Sequence, residues 1–149
     1  MFTTLNLMAF FQIIATVCCA LFAGAAVYIN FVEHPARMEC GTELAATVFP
    51  ISYRKATLMQ VSLAVSGLVS AVAAWAAGSG VWWLIGGLLL GSVIPYTLLV
   101  IMPTNNQLVN PALDKGSESA RRLLSRWGKL HAVRSVLSVS ALVIFIGHA

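Results

Sequence analysis

A chain of 149 residues that is 59% hydrophobic and only 9% charged cannot hide its apolar surface in a soluble core, where charged residues make up about 25%. A bilayer accepts such a chain, because lipid is the solvent for the outside of its helices. The formal net charge of +4 does not point to nucleic acid, because the basic residues lie in short connections between apolar runs, where they set orientation instead.

The first apolar run covers residues 8–32 and leads into Asn30-Phe31-Val32-Glu33-His34-Pro35. It is too long for a signal peptide and has no basic leader, since the first arginine is Arg37. Pro35 removes a backbone donor, so the helix is expected to end or kink there. A polar connection with Arg37, Glu39, Gly41 and Glu43 follows, and Pro50 suits the opening of the next helix. The second span, residues 56–77, carries small residues at Ser62, Ser66 and Ser70 and at Ala64, Gly67, Ala71 and Ala74. Such spacing lets membrane helices approach closely. Gly78-Ser79-Gly80 allows only a tight turn, so the second and third spans form a hairpin.

The third span, residues 81–102, has Gly87, Gly91 and Pro95 at intervals of four, predicting close packing and a kink. Pro103-Thr104-Asn105-Asn106 opens a polar connection expected to be non-helical. Ser117 can cap a last helix that starts amphipathic, with Arg121, Arg122 and Arg126, and crosses the membrane over residues 127–147. Cys18, Cys19 and Cys40 fit neither a disulfide framework nor a zinc motif. The expectation is an all-α bundle of four transmembrane helices forming one domain.

Four spans place both termini on one side. All nine Lys and Arg residues fall in the 33–55 and 103–126 connections or in the helix ends beside them. The positive-inside rule then makes those connections cytoplasmic and both termini extracytoplasmic, in the cell membrane.

The same threading gathers three polar clusters at the charged end: Asn30, Glu33, His34 and Arg37; Asn105 and Asn106; and Trp127, His131, Arg134 and Ser138. His131 and Arg134 lie within the last span, where an arginine costs roughly 2.5–3.5 kcal/mol unless it is paired or faces a wet cavity. Glu33 is the expected partner of Arg134. Plainer roles compete with each reading. Arg134 and Lys129 can snorkel to headgroups, Trp127 can anchor the interface, Asn105 and Asn106 can form turns, and His34 can cap a helix. Glu33, His34 and His131 are the right types for a metal site, but adjacent residues on one helix ligate awkwardly, and a bound metal is the weaker reading.

Asn30 to Arg37, Pro103 to Asn106 and the Trp127-x3-His131-x2-Arg134 step, in this order over most of the chain, resemble the anthrone oxygenase family. The resemblance implies oxidation of a lipophilic anthrone-type aromatic by molecular oxygen as cosubstrate, with no cofactor. Such chemistry asks for a base near neutral pH, a cradle for an oxyanion and a greasy slot. His131 is the candidate base and His34 the reserve, because histidine titrates in that range. Arg134 with Asn105 or Asn106 would hold the oxyanion, Trp127 and Tyr96 would stack on the rings, and Glu33 would orient His131 or neutralise Arg134. Tyr53 and Gln60 could join the pocket. Two other functions remain open, a non-enzymatic binder or partner subunit and a metal- or quinone-linked oxidoreductase. The partners expected are the bilayer and a lipophilic small molecule, with self-association into a homo-oligomer also open.

Overall fold

Each of the four expected spans is helical, and each helical run extends past its apolar stretch at the charged end. The computed structural model describes residues 2–149, with side chains from residue 6 onward, and every regular element among them is a helix. The elements are α1 (Phe2–Tyr28), a π-helical turn (Ile29–Glu33), α2 (His34–Glu39), α3 (Thr42–Ala76), α4 (Val81–Tyr96), a second π-helical turn (Thr97–Ile101), α5 (Met102–Leu108) and α6 (Glu118–Gly147). Four runs, Asn6–Glu39, Thr42–Ala76, Val81–Leu108 and Glu118–Gly147, are long and apolar enough to cross a membrane. Large apolar side chains stand exposed along them, for example Ile13, Val17, Leu21 and Tyr28 down α1 and Phe31 in the π-helical turn after it. In a bilayer that outer surface is solvated by lipid. The chain is a multi-pass membrane protein.

The helices form a square. α1 and α4 sit on one diagonal, α3 and α6 on the other, and each packs on both members of the other pair. Small residues set the spacing. A Cβ added to Gly87 would lie 2.7 Å from Cβ of Ala71, so α3 and α4 meet nearly backbone to backbone. Of the small residues on the second span, Ala64, Gly67, Ser70, Ala71 and Ala74 are buried, whereas Ser62 and Ser66 are exposed. Both termini lie at one end of the bundle. There Gln12 Nε2 donates to Ser79 Oγ at 3.1 Å, and Trp83 Nε1 donates to the His148 carbonyl at 3.2 Å.

At the other end the structure corrects the sequence reading. The expected 33–55 connection shrinks to Cys40 and Gly41, and most of the 103–126 connection is helical too. The reason is a second core: Ala45, Ala46 and Phe49 of α3 bury against Ile101, Leu108, Ala120, Leu124 and Trp127. Those apolar positions recur at helical spacing between the charges. Pro50 lies inside α3, not at its start. At 1.5 Å per residue the 35 residues of α3 reach about 52 Å, against a hydrocarbon layer of about 30 Å. α3 is therefore about 20 Å longer than the hydrocarbon is thick, and the projecting part is its charged end. Gly41, at φ +100°, supplies the reversal between α2 and α3.

Nor do Pro35 and Pro103 stop their helices. Each follows a π-helical turn that contains the residue four positions before it, Phe31 and Leu99, whose carbonyl a proline cannot serve. The register widens, so His34 N–H reaches the Ile29 carbonyl and Met102 N–H that of Thr97.

Candidate active site

The first π-helical turn turns Asn30 towards α6. Its Nδ2 donates to the Gly128 carbonyl at 3.0 Å, and that carbonyl can only accept. The amide is thereby oriented, and its Oδ1 accepts from Ser135 Oγ at 2.7 Å and faces His131 Nδ1 at 2.7 Å. Two acceptors do not bond, so His131 carries its proton on Nδ1 and keeps the lone pair on Nε2. His131 is only 1% exposed.

An aromatic ladder supports this ring. Trp127 lies 4.8 Å from His131 and 5.2 Å from His34, centroid to centroid, and meets Phe49 edge-on at 5.2 Å. Phe49 in turn stacks on Tyr53 at 5.7 Å. His34 comes this close because residue 128 is glycine: an added Cβ would sit 2.7 Å from the His34 ring. Among the described residues no three His, Cys, Asp or Glu side chains converge as metal ligands would.

Arg134 is not paired with Glu33. Glu33 Oε1 is taken by Arg37 Nη2 at 3.4 Å, its neighbour one turn along the same helical run, and Arg37 also donates to Ser52 Oγ at 2.9 Å. An i,i+4 partner is simply nearer than one across the bundle. Arg134 Nη2 instead donates to Gln60 Oε1 at 2.5 Å, with the guanidinium 5.3 Å above the Phe22 ring. It has no carboxylate partner among the described residues. Both Arg134 and Gln60 line a cleft of about 70 Å³, open on one side to the surroundings, whose walls include Phe22, Tyr53, Val93 and Leu98. Gln60 Nε2 and Arg134 Nε are buried donors with no acceptor among the described residues.

The other expected binding residues lie elsewhere. Asn105 is buried and Asn106 exposed, both on the helical α5 where a non-helical connection was expected. The guanidinium bonds Gln60, not either asparagine. Tyr96 Oη donates to the Leu130 carbonyl at 3.1 Å. The expected single cluster is thus two adjoining sites: His34, Trp127, His131 and Asn30 on one, Arg134 and Gln60 on the other. Ser135 and Phe22 were not anticipated, and Asn30 was seen without its role. A polar residue within an apolar span, as Gln60 and Ser135 both are, was the available signal.

The family model described as anthrone oxygenase matches residues 46–144. The anthrone oxygenase tpcL of Aspergillus fumigatus is 31% identical to this chain over 89% of each. An anthrone oxygenase of Claviceps purpurea is 33% identical over 44% of this chain and 42% of its own. No solved structure matches.

Proposed function

We propose a membrane-embedded oxygenase, from one premise: the chain belongs to the anthrone oxygenase family. The substrate in this reading is a lipophilic anthrone-type aromatic whose activated ring methylene is oxidised to a carbonyl. The observation that carries it is the Asn30 network, which leaves Nε2 of a buried histidine as a free base. His131 Nε2 takes one methylene proton, and the electron pair delocalises onto the substrate oxygen. Arg134 stabilises that oxyanion, as a preorganised donor does in a water-poor site. The anion reduces molecular oxygen and forms a C–O bond. The resulting hydroperoxide takes back the proton, then loses its remaining C–H proton as the O–O bond breaks. One methylene and one oxygen molecule become one carbonyl and one water, with no electrons left to supply. No organic cofactor or metal is required, and His34 is the reserve base.

An unpaired Arg134 beside an open cleft favours this reading over a rigid scaffold, which would pair the cation and fill the space. In this reading the charged end faces the cytoplasm and both termini lie outside, an orientation supported by nine Lys and Arg residues at one end and none at the other. Oxygen uptake by the protein in membranes, with an anthrone such as emodin anthrone, tests the activity and should be matched by equimolar anthraquinone. His131→Gln should stay folded and lose 10²–10⁴-fold in rate, the usual worth of a general base. Lys129→Gln and Arg122→Gln, both exposed, should be silent. A folded and fully active His131→Gln would rule the assignment out, whereas loss of folding in both His131→Gln and Arg134→Lys would favour a structural cluster.

A further inference from the structure

We infer that the cleft between α3 and α4 binds a flat aromatic molecule through an acceptor oxygen, and that this molecule enters sideways from the bilayer. The identification of that molecule as the oxidised substrate rests on the oxygenase reading; the site itself rests on four observations.

The first is the pair of idle donors. Gln60 is 2% exposed and its Nε2 has no acceptor among the described residues; the same holds for the buried Nε of Arg134. Their only mutual bond, Arg134 Nη2 to Gln60 Oε1, leaves both groups free to donate to a third. Two donors on a cationic frame select an oxygen acceptor, above all a phenolate or enolate, and reject cations. The second is the lining, which apart from this pair is mostly apolar, with the rings of Phe22 and Tyr53 among its walls.

The third is depth. Gln60 lies five residues beyond Lys55, the last lipid-side charge of α3, and Arg134 lies five beyond Lys129 on α6. At 1.5 Å per residue both lie about 7.5 Å further into the bundle, so two helices agree on a position inside the hydrocarbon. The fourth is the mouth. Thr57, Val61 and Leu98 line the cleft and are exposed, the last two at 45% and 56%, on the surface that faces lipid. The aqueous end is covered by the second core around Phe49, Ile101 and Trp127. The open side is therefore the lateral one.

The test is binding of 1,8-dihydroxyanthraquinone, with anthracene as the same ring system without oxygens, to the whole chain in nanodiscs. Gln60→Glu keeps an oxygen for Arg134 and removes the idle donor. It should weaken the quinone at least about tenfold, the worth of one hydrogen bond to a charged group, and leave anthracene unchanged. Leu98→Trp, at a position 56% exposed, should slow and weaken binding of both, whereas Val136→Trp on the exposed face of α6 should do neither. A red shift of the bound quinone, phenol to phenolate, should vanish in Arg134→Met. Unchanged quinone binding in both Gln60→Glu and Leu98→Trp would overturn the site, as would anthracene binding as tightly as the quinone. Binding without oxygen uptake would retire the oxygenase and leave this site standing. Normal turnover in Gln60→Glu and Leu98→Trp would do the reverse.

Discussion

A neutral amide, Asn30, does the work expected of the carboxylate Glu33. In hydrocarbon this is the less costly choice, since an ionised group there carries several kcal/mol of desolvation that an amide avoids. Asn30 has one donor committed to Gly128 and one oxygen shared by Ser135 and His131. Asn30→Ala should therefore leave a buried imidazole N–H without an acceptor, at about 1–3 kcal/mol, and free the ring to change tautomer. Thermal unfolding in detergent should register the first effect and oxygen uptake the second. Asn30→Asp, which restores the acceptor, should recover activity more than stability. Equal activity in Asn30→Ala and the parent protein would show that the tautomer is not held here.

The two π-helical turns are the elements that build the site. Each sits four residues ahead of a proline, at the same end of its helix, on the diagonal pair α1 and α4. The first presents Asn30; the second presents Thr97 and Leu98 to the cleft. One extra residue in a turn rotates everything before it relative to everything after, so the prolines act on the site without touching it. Pro35→Ala restores the missing N–H and favours an ordinary α-turn, which would swing Asn30 away from His131. Activity should fall at least about tenfold while helix content by circular dichroism stays level, as for a residue that only positions another. Undiminished turnover would mean that the widened turn persists without its proline. The widened register itself was not legible in the sequence. Pro35 reads as a helix end or kink and Pro103 as the opening of a non-helical connection, because the rule for proline assumes α-helical register, and the carbonyls they orphan are rescued by a register that no local motif announces.

At the scale of the molecule, composition and charge carried most of the architecture. Four apolar runs, a Gly-Ser-Gly turn and a capping serine placed the helices, and Ser117 Oγ does accept from Ala120 N–H at 3.1 Å. The helices were read too short because Pro50 was taken to open the second one, which left Ala45, Ala46 and Phe49 in the connection before it, and only the partner residues on α5 and α6 show that they are core. His131 and Arg134 stand out in the sequence by their depth, and Asn30 and Gln60 are in view beside them, but which of them pair is not, because Gln60 and Asn30 become neighbours of α6 only through packing across the square. The proposed orientation of the whole rests on charge alone. Reporter fusions after Ala149 should behave as extracytoplasmic, and insertions in the 109–117 connection as cytoplasmic. A cytoplasmic C-terminus would invert the orientation and place the projecting end outside the cell.

A cleft that opens sideways changes what concentration means for this protein. Oxygen and a polycyclic aromatic both dissolve better in acyl chains than in water, so in the proposed reaction a single reservoir, the bilayer itself, would deliver both reactants through one door. Saturation is then governed by the mole fraction of aromatic in the surrounding lipid, and dilution of the aqueous phase has little purchase on the rate. In the proposed reaction the membrane serves as the solvent in the chemist's sense, as much as it is the protein's place of residence.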